Sequence, residues 1–359
     1  MFGSALNSIT GKKNPLGLPK VKNACVIMVD GLGSANIEFR AGHAPTLSRQ
    51  LQVDGSIHCG FPSTTVASLA SFATGLRAGQ HGLVGYQIYD RSRSQNVNLL
   101  TGITGKDEAL KWQPMQTISE LAEVEGVQCF FVGPAEYDRS GFTLATMRAA
   151  TYVPAKSIED RFAAALKIIS SGVNNLVYLY VPELDQKAHA FGSKSSQWVE
   201  KLEDLEASVK KFVQKTPATV GVLLTADHGI VDVATDKHIY LDEVSLPGLK
   251  SVGGDPRVLY LYLNKESIAA AKETLQSYVG KRAYVALKSE IIDAGWFGPV
   301  ADWATERLPE LFVISLGETA LYHRDFAKPK SLSMIGQHGS ISNEELSIPL
   351  LRFAGFAKK

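Results

Sequence analysis

Four nearly unbroken apolar runs constrain this chain more than any other feature: Ala24–Val29, Val127–Val132, Asn175–Val181 and Thr219–Thr225. A strand with one wet face alternates apolar and polar residues. These runs do not alternate, so they read as short strands buried on both faces. Helical patterns separate them. Residues 61–76 read as a tight loop and then a helix of small residues, 117–125 and 158–170 as helices, and 194–214 as a long helix with a polar face. Strands alternating with helices predict an α/β fold whose mainly parallel sheet is sandwiched by helices. The pattern changes at about 250–305. There Val258–Leu263, 265–279 and Ala283–Leu287 read as strand, helix and strand, a small α/β subdomain inserted in the larger unit. The chain is expected to return to the main sheet at about 312–322.

The charge balance excludes some partners. Lys plus Arg is 37 and Asp plus Glu is 36, a net charge of +1, so nothing favours bulk nucleic acid. A small phosphoester or a nucleotide needs only a local site. Cys25, Cys59 and Cys129 lie far apart with no C-x-x-C pair, which argues against a sulfur-ligated zinc site and for buried free thiols in a reducing compartment. No run approaches the ~20 apolar residues that span a bilayer. Residues 1–23 do not read as a secretory leader. The expected location is the cytoplasm.

Three of the runs lead into an acidic residue: the first ends at Asp30, Asn175–Val181 leads to Asp185, and Thr219–Thr225 leads to Asp227. Open α/β sheets bind ligands beyond the carboxyl ends of their strands, so three carboxylates should share one edge. Their mutual repulsion calls for a cation among them. Asp185 and His189 stand four residues apart and face the same way on a helical turn. Asp227-His228-Gly229 is a second such pair. Gly336-Gln337-His338-Gly339 places a His between glycines, which let the backbone fold tightly. An isolated Asp-x-x-x-His pair is more often a surface accident. What weighs against accident is that the pieces share predicted strand ends. The loop Phe61-Pro62-Ser63-Thr64-Thr65 precedes the small-residue helix. It supplies a Ser/Thr cap, and a helix N-terminus suits a phosphate. A Thr hydroxyl held there by a metal loses its proton far more easily than a free one.

The segments MVDGLG, FPSTTVASLASFATG, HGLVGY, ELDQKAHAFG, TADHG and GQHGS, in that order, resemble the alkaline phosphatase superfamily and, within it, the type I phosphodiesterase and nucleotide pyrophosphatase family. The resemblance runs from about Val26 to Leu350 with gaps, and it implies one alkaline phosphatase-like catalytic domain over 1–359. In the superfamily the nucleophile begins a helix and lies nine residues before the Thr of a Thr-Gly pair. Thr74-Gly75 therefore selects Thr65 over Thr64. The resemblance implies two divalent metal ions, Zn²⁺ first, with Mn²⁺ and Mg²⁺ as alternatives. Asp185, His189 and His338 would hold one, and Asp30, Asp227, His228 and the Thr65 hydroxyl the other. The implied function is hydrolysis of phosphoester bonds through a covalent phospho-threonine. One position departs from the pattern. Where nucleotide pyrophosphatases follow Val-Gly with an Asn that helps hold a phosphate oxygen, this chain has Tyr86. Tyr86 is the candidate substrate-binding residue, with packing as its other reading.

Alternatives remain within the superfamily. A phosphomonoesterase or a phosphonate hydrolase would share the metal ligands. A sulfatase does not fit, because Thr65-Val66-Ala67-Ser68-Leu69 lacks the C/S-x-P-x-R motif. A phosphoglycerate mutase would need a Ser nucleophile. From another class, a non-catalytic metal-binding protein would keep the ligands and show no turnover. His81 is read as structural and Lys187 as solvated.

Overall fold

The structure, a computed structural model, describes residues 1–172 and 174–358. At its centre is a seven-stranded sheet. The spatial order is Ser56–His58, Ser347–Ala354, Val220–Ala226, Asn23–Val29, Asn175–Val181, Gln128–Gly133 and Thr151–Pro154. The last five run parallel, and the first two form an antiparallel edge. This is the mainly parallel sheet that the apolar runs predict.

Burial on both faces explains why those runs do not alternate. Ala24, Val26 and Met28 point into one core, and Cys25, Ile27 and Val29 into the other. Helices Ile158–Ser170 and Ser196–Lys215 close the second core with Phe162, Trp198 and Leu202. Helices Phe2–Thr10 and Thr65–Thr74 close the first. Each fully buried aliphatic side chain contributes about 1.5–3 kcal/mol relative to exposure. The N-terminal helix is not foreseen by a search for continuous apolar stretches. Its apolar residues Phe2, Ala5, Leu6 and Ile9 recur at helical spacing instead.

Register decides where the strands end. Val29 lies level with Val181 on one side and Ala226 on the other. The three central strands therefore stop flush, and the residues after them emerge on one edge.

A second sheet of four antiparallel strands has the order Leu249–Asp255, Val258–Leu263, Leu311–Ser315, Ala283–Leu287. The expected return to the main sheet at 312–322 does not occur. Leu311–Ser315 is an inner strand of the small sheet, and the chain rejoins the large one only at Ser347. An apolar run buried on both faces fits either sheet, and its partners are not visible in its own sequence. Here Tyr260, Tyr262, Phe312 and Ile314 face the main core, while Leu261, Leu263 and Val313 pack with the Ile268–Val279 helix.

Candidate metal centre

The flush strand ends bring the predicted residues together in two groups. Asp185, His189 and His338 form one, and Asp30, Asp227 and His228 the other. Within each group the ligand atoms all lie within 4.8 Å of one another. Asp185 and His189 project from the Glu183–Phe191 helix, which starts two residues after its strand. Their spacing of one helical turn puts His189 Nε2 3.2 Å from Asp185 Oδ2. His338 arrives from the far end of the chain, its Nε2 3.8 Å from Asp185 Oδ1. In the other group His228 Nε2 stands 3.4 Å from Asp30 Oδ1 and 3.5 Å from Asp227 Oδ2. The groups adjoin, because the His228 and His338 rings stack at 3.7 Å.

The two adjacent threonines are held differently. Thr64 is the N-cap of the Thr65–Thr74 helix, and its hydroxyl accepts from the Ala67 amide at 3.5 Å. Thr65 is the first helical residue, and its Oγ1 lies 3.1 Å from His228 Nε2. Tyr86 is half-buried and lines the same cavity as Thr65, Asp185, His189 and His338, a space of about 410 Å³.

The donor set fits divalent cations. Each histidine has its Nδ1 against a backbone carbonyl: His189 on Gly336 at 2.7 Å, His228 on Gly229 at 3.1 Å, His338 on Ser63 at 3.1 Å. A carbonyl only accepts, so each Nδ1 donates and each Nε2 is left to face carboxylate oxygens. Asp30 Oδ1, Asp185 Oδ1 and Asp227 Oδ2 are buried without a hydrogen-bond partner. Lone pairs crowded on lone pairs, and unsatisfied buried oxygens, are what a cation relieves.

Electrostatics agree. Burial, then repulsion from Asp227 and Asp185, pushes the Asp30 carboxyl well above its ordinary range, against a hydrogen bond from the Tyr180 hydroxyl. Burial likewise raises Asp227; His228 opposes this and Asp185 adds to it. Burial acts to raise Asp185 too, but His189 and then His338 outweigh it and hold that group low. Burial alone would lower His189, yet Asp185 carries it up to about 9. The attraction that lifts His189 is one that a cation bound to the same pair competes for.

Several functional neighbours escape sequence reasoning. Tyr180 donates to Asp30 from 150 residues away. Asp255, buried and pushed by its burial up to about 7, lines the cavity. Ser63, Arg257 and Glu345 fasten the His338 loop. Of these only Ser63 lies in a segment that the motifs mark. His81 holds no place in either group. Its Nδ1 accepts from the Leu83 amide at 3.2 Å, its Nε2 meets Ser71 Oγ at 3.0 Å, and burial drives it down to about 3. Lys187 lies over the Phe191 ring at 5.4 Å.

Residues 24–341 match the type I phosphodiesterase/nucleotide pyrophosphatase family. The chain belongs to that family. The family supports phosphoester hydrolysis, and its members' metal dependence matches the two ligand groups found here. Ectonucleotide pyrophosphatase/phosphodiesterase family member 1 of Mus musculus is 25% identical over 240 residues, covering 63% of this chain and 24% of the mouse protein. Venom phosphodiesterase 2 of Crotalus adamanteus is 23% identical over 191 residues, 50% of this chain and 23% of the snake protein. The chain thus spans under a quarter of the length of these relatives. Among solved structures, murine ectonucleotide pyrophosphatase/phosphodiesterase 5, as an inactive variant in complex with AMP, superposes with a TM-score of 0.73. The identity is 16%, over 93% of this chain and 88% of that one. The human counterpart gives 0.71 at 16% identity, over 94% and 90%. At such identity the likeness establishes the alkaline phosphatase-like fold. Among the described residues no helix is long and apolar enough to cross a membrane.

Proposed function

We propose that this family member is a metal-dependent phosphodiester hydrolase with Thr65 as its nucleophile. The observation that carries the reading is the Thr65 hydroxyl at a helix N-terminus, 3.1 Å from His228 Nε2 and at the meeting of the two ligand groups. Two divalent cations, Zn²⁺ first among them, would be held by Asp185, His189 and His338 and by Asp30, Asp227, His228 and Thr65, and would supply positive charge to the phosphoryl oxygens and an acidified hydroxyl. Thr65 Oγ1 releases its proton to solvent and bonds to phosphorus while the P–O bond to the leaving group breaks, its electrons going to that oxygen, which takes up a proton from solvent and leaves as the alcohol. The phospho-threonine ester is then cleaved by water, which returns the hydroxyl to Thr65 and frees the phosphate product. The first turn of the helix directs its amides and positive dipole end at the charge that builds on phosphorus-bound oxygens. Thr64 keeps that turn closed.

Tyr86, where the family's nucleotide pyrophosphatases carry Asn, offers one phenolic donor to the substrate. The murine relative was solved with AMP, so a diester bearing a nucleoside monophosphate is the first natural class to test. The unpaired thiols of Cys25, Cys59 and Cys129 support a reducing, cytoplasmic location.

The test compares bis-p-nitrophenyl phosphate with p-nitrophenyl phosphate on zinc-loaded protein, with a chelated control. Faster, chelator-sensitive cleavage of the diester is expected. Faster cleavage of the monoester would move the protein to the phosphatase branch. Two bound metals with neither substrate cleaved would favour a non-catalytic metal-binding protein.

A further inference from the structure

We infer that Glu345 is a positioning residue, which sets where His228 and His338, one imidazole from each ligand group, stand relative to each other. The inference rests on the reading that those groups hold divalent cations. The two rings are stacked at 3.7 Å and 16°, yet they come from loops more than a hundred residues apart in sequence. Something must hold both loops at once, and Glu345 touches both. Its carboxylate Oε1 accepts from the Ser340 amide at 2.9 Å, two residues beyond His338. Its backbone carbonyl accepts from the Gly229 amide at 2.8 Å, one residue beyond His228. Ser340 and Glu345 are both fully buried, so no water can replace the first bond.

Glu345 is itself fixed from two sides. It lies in the short Asn343–Leu346 helix, where Ser342 Oγ accepts from its amide at 3.3 Å. Its carboxylate meets the Arg257 guanidinium in a two-point pair, Nε to Oε1 at 3.1 Å and Nη2 to Oε2 at 2.7 Å. Arg257 is fully buried, stands in the turn between the first two strands of the small sheet, and spends Nη1 on the Gly317 and Thr319 carbonyls. The small sheet thus reaches the metal centre through this ion pair, beside the Ser315 carbonyl, which accepts from Ser340 Oγ at 2.6 Å. A fully buried pair adds little net stability, and an apolar replacement of similar volume is often neutral. Arg257 also serves the Gly317 and Thr319 carbonyls, so the geometric role is separated from stability by comparing two variants that lose Arg257 alike. Outer partners of metal ligands, when removed, typically cost 10–100-fold in metal affinity.

Two paired variants of the full chain test this, with cobalt(II) as the probe. The first joins Glu345→Met to Arg257→Met and removes the acceptor together with the ion pair. The second joins Glu345→Gln to Arg257→Met. It also removes the ion pair, but the amide oxygen can still accept from Ser340. Cobalt(II) is titrated into metal-free protein, its visible absorption bands are recorded, and thermal unfolding is followed in chelator. The first pair is expected to unfold below the wild-type temperature, because the buried Ser340 amide and the Gly317 and Thr319 carbonyls lose their partners, and, while folded, to bind cobalt about tenfold or more weakly with shifted bands. The second is expected to restore wild-type binding and bands. Wild-type cobalt binding by a folded first pair would overturn the inference. So would weakened binding by a folded second pair, because the charge and not the Ser340 bond would then matter. Should the first pair not fold, the second decides alone. Glu120→Gln, which breaks a similar two-point pair with Arg148 elsewhere, should lower the unfolding temperature and leave cobalt binding intact. A wild-type chain that binds no cobalt would instead remove the metal-dependent reading itself.

Discussion

Thr64 and Thr65 share a side chain and differ in what holds it, so exchanging each separates capping from chemistry. Thr65→Ala removes the hydroxyl beside His228 and is expected to lower turnover by at least about 10³-fold while the protein stays folded. Thr64→Ala removes the acceptor for the Ala67 amide. It should cost about 1 kcal/mol of stability and leave turnover within roughly tenfold of the wild type. Steady-state rates and thermal melts of the two variants check this, and equal activity for Thr65→Ala would reassign the nucleophile. Asp255 gives a pH-dependent case. Burial lifts its carboxyl to about 7, against an unfolded value near 4. Below about 4 both states hold the proton. Between the two values the unfolded chain releases it first, so this group takes stability away as pH rises, and the loss is complete above about 7. Asp255→Asn cannot titrate. In chelator its melting temperature should equal that of the wild type near pH 4 and exceed it increasingly up to pH 7. A constant difference across that range would mean that the carboxyl is not held in its protonated form.

Between elements, close backbone approach is what assembles the centre. The Gly336 carbonyl reaches His189 because its Cα lies against the Glu183–Phe191 helix, where a Cβ would sit 2.7 Å from the Ala188 carbonyl carbon. Gly336→Ala must push the His338 loop off that helix. We expect at least tenfold weaker binding at the Asp185 group with the sheet intact, read by metal titration and far-UV circular dichroism. Retained affinity would show that the loop has slack. Such contacts also mark the limit of what the sequence reveals. Asp30, Asp185 and Asp227 were legible because each follows an apolar run, and flush ends follow from parallel pairing. His189 and His228 were legible because they lie within four residues of a carboxylate. Glu345, Arg257 and Tyr180 act across 88 to 150 residues, and nothing local marks them. The sheet to which Leu311–Ser315 belongs is hidden for a related reason. A strand buried on both faces carries no sign of its neighbours.

For the whole molecule, the metal centre is where stability and function oppose one another. Three buried carboxylates meet at the ends of the three central strands, two of them held above their ordinary range by burial and mutual repulsion. The fold bears that cost just beyond the carboxyl ends of the central strands of its largest sheet. A ligand that binds only the folded state returns it by mass action, about 2.7 kcal/mol per site when free metal exceeds Kd a hundredfold. Unfolding should therefore be strongly metal-linked. The melting temperature of chelated protein is expected to rise with added Zn²⁺ and to continue rising past one equivalent, because two groups fill. Activity should return over the same range. Asp227→Asn, which replaces a carboxylate ligand by a poorer amide, should raise the metal-free melting temperature by easing repulsion and shrink the metal-induced increase. Opposite shifts from one substitution are the signature of carboxylates kept for a cation. A variant that lowered both temperatures equally would mark Asp227 as ordinary core structure.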